Sequence, residues 1–179
     1  MPKENMLPTK IVDPFRSAEN AIHLQGILSV KNMERLCSSL NSDSGEVNVS
    51  MEFGVDEQEI PFIRGELSTQ VVLQCQRCME PFSYDIADHF LLGIVRSEED
   101  ASRLPDRYNP VIANNDKALI IQDVIEDELL VSLPIVPMHH PKDCNVTLPL
   151  SADPKNMEES EKENPFKVIE LLRSKHNSK

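Results

Sequence analysis

The chain is short of several residue types that would each point to a function. It contains no Trp, only 4% aromatic residues and five glycines among 179 residues. It has no Gly-rich phosphate-binding loop and no Gly-x-Ser-x-Gly elbow of the kind found in serine hydrolases. The common motifs of nucleotide binding and hydrolysis are therefore absent, and the core must be built from aliphatic side chains.

Long hydrophobic runs are also missing. No apolar stretch approaches the roughly 20 residues that cross a bilayer, and residues 1–8 lack the apolar segment of a secretory signal. We therefore expect a cytoplasmic protein without membrane contact, whose four cysteines stay reduced. Nothing in the sequence indicates a small-molecule substrate.

Basic residues are outnumbered by acidic residues, 18 to 30, which gives a net charge of −12. Proteins that grip a phosphate backbone usually show a basic face. The acidic excess instead favours a basic protein partner, or simply solubility. Local charge is uneven, since residues 164–179 carry four Lys/Arg against one Glu and residues 157–163 carry four Glu against one Lys.

Alternation of apolar and polar residues predicts the central secondary structure. Strands are expected at about 22–26, 47–53, 59–75 and 82–95. Helical spacing predicts helices over 30–40 and 122–132. The expected fold is α+β: an antiparallel sheet of about four or five strands, covered by these two helices. The pattern leaves open whether the sheet curls toward a barrel.

Composition divides the chain into four segments. They are an extended N-terminal segment at 1–19, an α+β core domain at 20–148, an acidic disordered linker at 149–163 and a basic C-terminal helix at 164–179. The last helix begins at Asn164-Pro165, because Pro is favoured at the first helical position. Within the core, residues 97–117 are expected to form a long polar loop that has room for one helical turn.

A Cys-x-x-Cys pair, Cys75 and Cys78, falls in the connection between two predicted strands. Zinc takes four soft or borderline ligands in a tetrahedron, and such a turn supplies two thiolates with little strain. His139 and Cys144 can complete the set, although His140 competes with His139. The hypothesis is a structural zinc site that draws the region around His139 to the hairpin.

Other interpretations of these cysteines stay open. They could be two thiols that never bind metal, or a disulfide between Cys75 and Cys78, which would be strained in so short a loop. A redox pair is disfavoured, because a thioredoxin-type pair opens a helix whose dipole stabilises the thiolate, and here a strand follows. A catalytic zinc site needs an open ligand position and a nearby base, and the spacing indicates no base. Cys37 fits the apolar stripe of the first helix and is interpreted as core.

An acidic cluster in the second predicted helix is interpreted as a solvent-exposed helix face rather than as a catalytic or metal site. Its members fit the solvated side of an amphipathic helix; they are Asp123, Glu126, Asp127 and Glu128. Acidic residues in a first turn also suit the helix dipole. We therefore expect this cluster to be exposed and to have no acid–base function.

Several blocks of sequence occur in a characteristic order. In chain order they are Asp13-Pro14 with Arg16-Ser17-Ala18, Cys75-Gln76-Arg77-Cys78 with Pro81-Phe82, Val95-Arg96-Ser97-Glu98, Glu126-Asp127-Glu128-Leu129, Leu133-Pro134, Val136-Pro137, His139 with Cys144, and Asn164-Pro165-Phe166. Together these blocks resemble the YceD family, the large ribosomal RNA subunit accumulation proteins of bacteria and plastids. Their order and spacing carry the resemblance. Many members have a second Cys-x-x-Cys after the position of Cys144, where this chain has a single Cys and an upstream His.

The resemblance implies a non-enzymatic ribosome biogenesis factor that supports synthesis, processing or stability of the large-subunit (23S) ribosomal RNA. Its partners would be precursor large-subunit rRNA, a basic large-subunit ribosomal protein, or both. Contact is expected at Arg77 and at the basic residues of the last helix, Lys167, Arg173, Lys175 and Lys179. About four such charges give only weak, salt-sensitive RNA binding. The alternative is a zinc-dependent RNA-processing enzyme that uses the Cys/His cluster.

Overall fold

The computed structural model describes residues 11–113 and 118–144. The strands are β1 (Ile11–Val12), β2 (His23–Ser29), β3 (Glu46–Val55), β4 (Pro61–Gln74), β5 (Pro81–Val95), β6 (Asn109–Ile112) and β7 (Leu119–Ile120). The helices are α1 (Pro14–Glu19), α2 (Glu34–Cys37), α3 (Glu98–Ala101) and α4 (Ile121–Ser132), with 3₁₀ turns at Val30–Asn32 and Pro141–Asp143. No helix among these residues is long and apolar enough to cross a bilayer.

Five strands form the main sheet, in the order β2-β3-β4-β5-β6, and β1 pairs with β7 separately. The pairs from β2 to β5 are antiparallel, whereas β6 runs parallel to β5. The predicted α+β class and its mainly antiparallel sheet are confirmed. In the described part of the chain the sheet is open, with β2 and β6 at its edges.

The long strands β4 and β5 carry the alternation that predicted them. On β4 the buried positions include Ile63, Leu67, Val71 and Leu73, whose residue numbers differ by even steps of four or two. Side chains two apart share one face of a strand, so this face packs into the core. The alternation ends at Cys75, which is also buried, and this brings the first thiol to the end of the core.

The expected helix over 30–40 is wrong in extent. Residues 30–32 form a 3₁₀ turn, Met33 interrupts it with φ −103° and ψ 85°, and α2 is a single turn. Val30, Met33 and Leu36 are nevertheless fully buried. The spacing of these residues therefore predicted their burial correctly, although the backbone is not one continuous helix. By contrast, the helix predicted over 122–132 is present as α4.

The segment 1–19 is expected to be extended, but its described residues, 11–19, contain a helix. Pro14–Glu19 form α1, and the Asp13 carboxylate accepts from the backbone N–H groups of Phe15 and Arg16, both at 3.1 Å. This is an N-cap followed by Pro at the first helical position.

The strand expected to end at Gly26 continues to Ser29, so its predicted extent is wrong. In the region expected to be a loop, 97–117, the one helical turn allowed for is present as α3, whereas the strand β6 was not expected. The expected linker at 149–163 and the basic helix at 164–179 lie outside the described residues.

Candidate metal centre

The loop between β4 and β5 places the first two thiols. The backbone N–H of Cys75 donates to the Glu80 carbonyl at 2.9 Å, and that of Met79 donates to the Cys75 carbonyl at 2.8 Å. The loop closes with Met79 at φ 64°, a left-handed conformation that costs a residue with a Cβ about 1 kcal/mol. We call Cys75–Glu80 the hairpin loop.

The surroundings of Cys75 lower the pKa of its thiol and so favour the thiolate. Its side chain is fully buried, and burial raises the pKa of a thiol because it disfavours the charged form. The backbone N–H groups of Cys78, Arg77 and His139, directed at the sulfur, outweigh this effect and lower the pKa of Cys75 to about 6. The N–H of Arg77 lies 3.4 Å from the Cys75 sulfur. No helix follows Cys75, but N–H groups of the loop stabilise its thiolate in place of a helix dipole.

A second part of the chain meets the hairpin loop; residues 133–144 are called the Pro-rich segment. The backbone N–H of Gln76 donates to the Pro137 carbonyl at 2.9 Å. The edge of the Phe82 ring meets the His139 ring, with centroids 5.5 Å apart. These contacts bring Nε2 of His139 to 3.5 Å from the sulfur of Cys78.

The structure distinguishes between the two adjacent histidines. Nδ1 of His140 accepts from the backbone N–H of Lys142 at 3.4 Å, at the start of the 3₁₀ turn Pro141–Asp143. This turn leads directly into Cys144. His140 therefore caps the turn, and His139 is the histidine that points into the cluster.

All four ligand atoms meet: the three sulfurs of Cys75, Cys78 and Cys144 and one ring nitrogen of His139 lie within 4.8 Å of one another. Bond lengths of about 2.3 Å to sulfur and 2.0–2.1 Å to nitrogen put the ligand atoms of a zinc tetrahedron roughly 3.5–3.8 Å apart. The 3.5 Å separation of Cys78 and His139 equals the expected sulfur–nitrogen edge. Three sulfurs and one imidazole are also a ligand set that zinc takes in structural sites. The cluster thus fits zinc in both geometry and chemistry.

The remaining thiols share one environment. Burial raises the pKa of Cys78, the Glu80 backbone N–H opposes this, and the neighbouring sulfurs of Cys75 and Cys144 raise it further. Crowded sulfurs of this kind ionise together more easily when a cation lies between them. Among the described residues, no fifth His, Cys, Asp or Glu joins the cluster at this distance.

Two other sequence-predicted positions can be placed. Arg77, in the hairpin loop, is half-buried and directs its guanidinium at the sulfur of Met138, 3.6 Å away. Cys37 packs against the core, and its thiol donates to the Val30 carbonyl at 3.2 Å. The four predicted contact residues of the last helix, Lys167, Arg173, Lys175 and Lys179, lie outside the described residues.

Sequence reasoning missed the role of Glu126. Instead of facing solvent, its carboxylate is buried and accepts from Nε and Nη2 of Arg35 at 3.0 and 2.9 Å and from the backbone N–H of Leu36 at 3.0 Å. It thereby caps α2, whose own N-cap residue Met33 makes no side-chain bond. Glu126 lies three residues before the buried Leu129, on the same side of the helix, and this position was the available signal.

The hairpin loop and the Pro-rich segment both fall inside a match to a family model. The model, "Large ribosomal RNA subunit accumulation protein YceD", matches residues 63–173. The chain belongs to the YceD family. It is 32% identical over 165 residues to the "Large ribosomal RNA subunit accumulation protein YceD" of Haemophilus influenzae, which covers 92% of this chain and 95% of that protein. The resemblance seen in the sequence is confirmed, and no solved structure matches the chain.

Proposed function

We propose that the protein is a non-enzymatic assembly factor of the large ribosomal subunit, which supports synthesis, processing or stability of 23S rRNA. The observation that carries this proposal is the near full-length relationship to the Haemophilus influenzae protein, whose name describes accumulation of large-subunit rRNA. A cytoplasmic location follows from such a role. The partners are precursor large-subunit rRNA, a basic ribosomal protein of that subunit, or both.

The Cys/His cluster serves this role as a structural zinc centre. Cys75, Cys78, His139 and Cys144 would hold the ion, and four protein ligands fill its tetrahedron. When bound, the ion supplies a cross-link between the hairpin loop and the Pro-rich segment. The residues themselves supply the ligand atoms and the N–H groups that keep the Cys75 sulfur ionised.

The geometry disfavours the zinc-enzyme alternative. A catalytic zinc keeps one position open for water and needs a base beside it. Four protein donors leave no open position, and in the described ranges no carboxylate joins them. The redox alternative is disfavoured by access, since the sulfur with the lowered pKa belongs to the fully buried Cys75 and redox cysteines need exposure.

Depletion of the protein in cells tests the proposed function. We expect the ratio of 23S to 16S rRNA to fall and the peak of large subunits in a sucrose gradient to shrink. An unchanged ratio together with an unchanged gradient would contradict the proposal. In a separate assay, purified protein should leave precursor RNA intact in the presence of divalent metals, and cleavage that Cys75→Ser abolishes would favour the enzyme instead.

A further inference from the structure

A groove lies between β6 and α4, with a volume of about 580 Å³. Its floor is apolar and includes Val111, Ile112 and Ile120, and one wall carries three carboxylates of α4. The carboxylates belong to Asp123, Asp127 and Glu128. We call this feature the α4 groove.

Apolar side chains are unusually exposed along this groove. Ile112 is 46% exposed and Ile120 39% exposed, although both are large aliphatic residues in strands. Beyond the groove, Val131 in the last turn of α4 is 82% exposed, and Ile135 just after the helix is 96% exposed. Exposed apolar residues with polar groups beside them, such as Ile112 and Ile120 beside the α4 carboxylates, are typical of protein–protein contact sites.

The groove also runs along an unpaired sheet edge. β6 is the last strand of the main sheet, and in the described part of the chain it pairs only with β5. Unpaired backbone N–H and C=O groups of an edge strand can accept an extended segment of another protein. β6 has four residues and its Pro110 has no N–H, so an extended occupant would gain only a few backbone hydrogen bonds besides its apolar contact.

The negative charge of the α4 carboxylates favours an occupant that carries positive charge. Of these three carboxylates, that of Asp127 pairs with Arg35; within the described ranges no Lys or Arg lies within 4.0 Å of the carboxylates of Asp123 or Glu128. Burial, and after it the charges of Asp88 and Asp127, raise the pKa of Glu128. A cation brought into the groove would offset this repulsion, whereas a phosphate would increase it.

We propose that the α4 groove docks an extended segment of a protein partner in which basic residues and aliphatic residues are interspersed. The inference rests on the proposed function and deepens it, because it assigns the basic ribosomal protein, rather than the RNA, to this surface. The basic side chains face the carboxylates of α4, and the aliphatic side chains cover Ile112 and Ile120.

Binding of a synthetic peptide tests the docking chemistry. The probe is a fluorescently labelled 12-residue peptide that alternates lysine and valine, and the control peptide has glutamate in place of each lysine. We expect saturable anisotropy binding of the first peptide only, with amide shifts in ¹⁵N spectra that centre on 109–113 and 118–131. Equal binding of the glutamate peptide, or no saturable binding of either, would overturn the proposal.

Two pairs of variants separate the groove from general charge. Asp123→Lys with Glu128→Lys should weaken peptide binding at least about tenfold, whereas Glu19→Lys with Glu57→Lys makes the same change in net charge on exposed residues elsewhere and should not. Ile112→Ser should weaken binding several-fold, and Val55→Ser, on a strand residue that is 47% exposed, should leave it unchanged. Circular dichroism and melting temperature verify that each variant is folded. Equal losses within either pair would overturn the proposal.

Other occupants give different results. If a 12-nucleotide uridine RNA binds and loses affinity in Asp123→Lys with Glu128→Lys, the groove serves RNA and the proposal is wrong. If sedimentation shows a dimer that Ile112→Ser makes monomeric, a second copy is the occupant and the proposal is again wrong.

Complementation distinguishes this inference from the proposed function. If depletion lowers the 23S to 16S ratio and Asp123→Lys with Glu128→Lys restores it as well as its control pair does, the docking inference fails while the proposed function stands. We expect the groove pair to restore it poorly. If depletion itself changes nothing, the proposed function fails, and the peptide assay alone decides whether the groove binds basic apolar segments.

Discussion

The two halves of the candidate metal centre are held in place by different means. The hairpin loop continues a long strand ladder, in which pairing runs from Phe62 with Gly93 to Gln74 with Pro81. The Pro-rich segment has no such ladder. It is attached by the packing of Leu133 against the core, by contacts of Gln76, Arg77 and Phe82 with Pro137, Met138 and His139, and by the ligand cluster itself. The same ion would therefore add little order to the first half and much to the second.

The largest effect is expected when a metal ligand is removed, because the two halves should then respond differently. Cys78→Ser should abolish zinc binding and lower the free energy of unfolding by several kcal/mol, as loss of a structural zinc does. Hydrogen exchange should rise strongly over 133–144 and only slightly in β4 and β5. Cys37→Ser, which changes a thiol outside the cluster, is the matched control and should retain zinc. Equal exchange increases in both halves would contradict the account.

A smaller effect is expected at the Arg35–Glu126 contact, which joins α2 to α4 without a metal. Glu126→Ala removes the acceptor for Arg35 and for the Leu36 N–H, so it should destabilise the protein by about 2 kcal/mol while zinc content stays unchanged. Chemical denaturation and metal analysis measure the two quantities. If zinc is lost as well, the contact between α2 and α4 would not be independent of the metal centre.

The third prediction concerns pH in the metal-free protein. The pKa of Cys75 is lowered from 9.0 to about 6, so its contribution to stability is complete above about pH 9, declines as the pH falls, and is gone below about pH 6. Thiolate absorbance at 240 nm should therefore show a transition near pH 6 that Cys75→Ser removes. A single transition near pH 9 would show that the N–H groups of the loop do not stabilise the thiolate.

The smallest effect is expected at the second histidine. His140→Ala removes only the 3.4 Å contact with the Lys142 N–H, so stability should change by less than about 0.5 kcal/mol and zinc should remain bound. His139→Ala, one residue away, should weaken zinc binding instead. The reverse result, measured by competition with a chromophoric chelator, would show that His140 is the ligand.

The hairpin and its Cys pair could be predicted because their signals are local. Alternation over β4 and β5 determines which face is buried, and it also determines where the connection with Cys75 and Cys78 falls. His139 and Cys144 could be named from ligand chemistry, but the choice between His139 and His140 depends on the turn that His140 caps, and the sequence does not show that turn.

The features that the sequence did not predict correctly were missed for physical reasons. Val30, Met33 and Leu36 follow helical spacing because they are buried, yet Met33 breaks the helix, so periodicity alone overestimated its length. β6 is four residues long, contains Pro110 and pairs with a strand from which it is separated by α3, so no local pattern reveals it. Glu126 was missed because its partner Arg35 lies 91 residues away in the chain.

Zinc content, measured together with the response to a chelator, tests the central claim most directly. Protein purified without chelator should contain close to one equivalent of zinc, and removing that zinc should lower the melting temperature and raise hydrogen exchange over 133–144. Less than a tenth of an equivalent, with a melting temperature that the chelator does not change, would contradict the zinc centre.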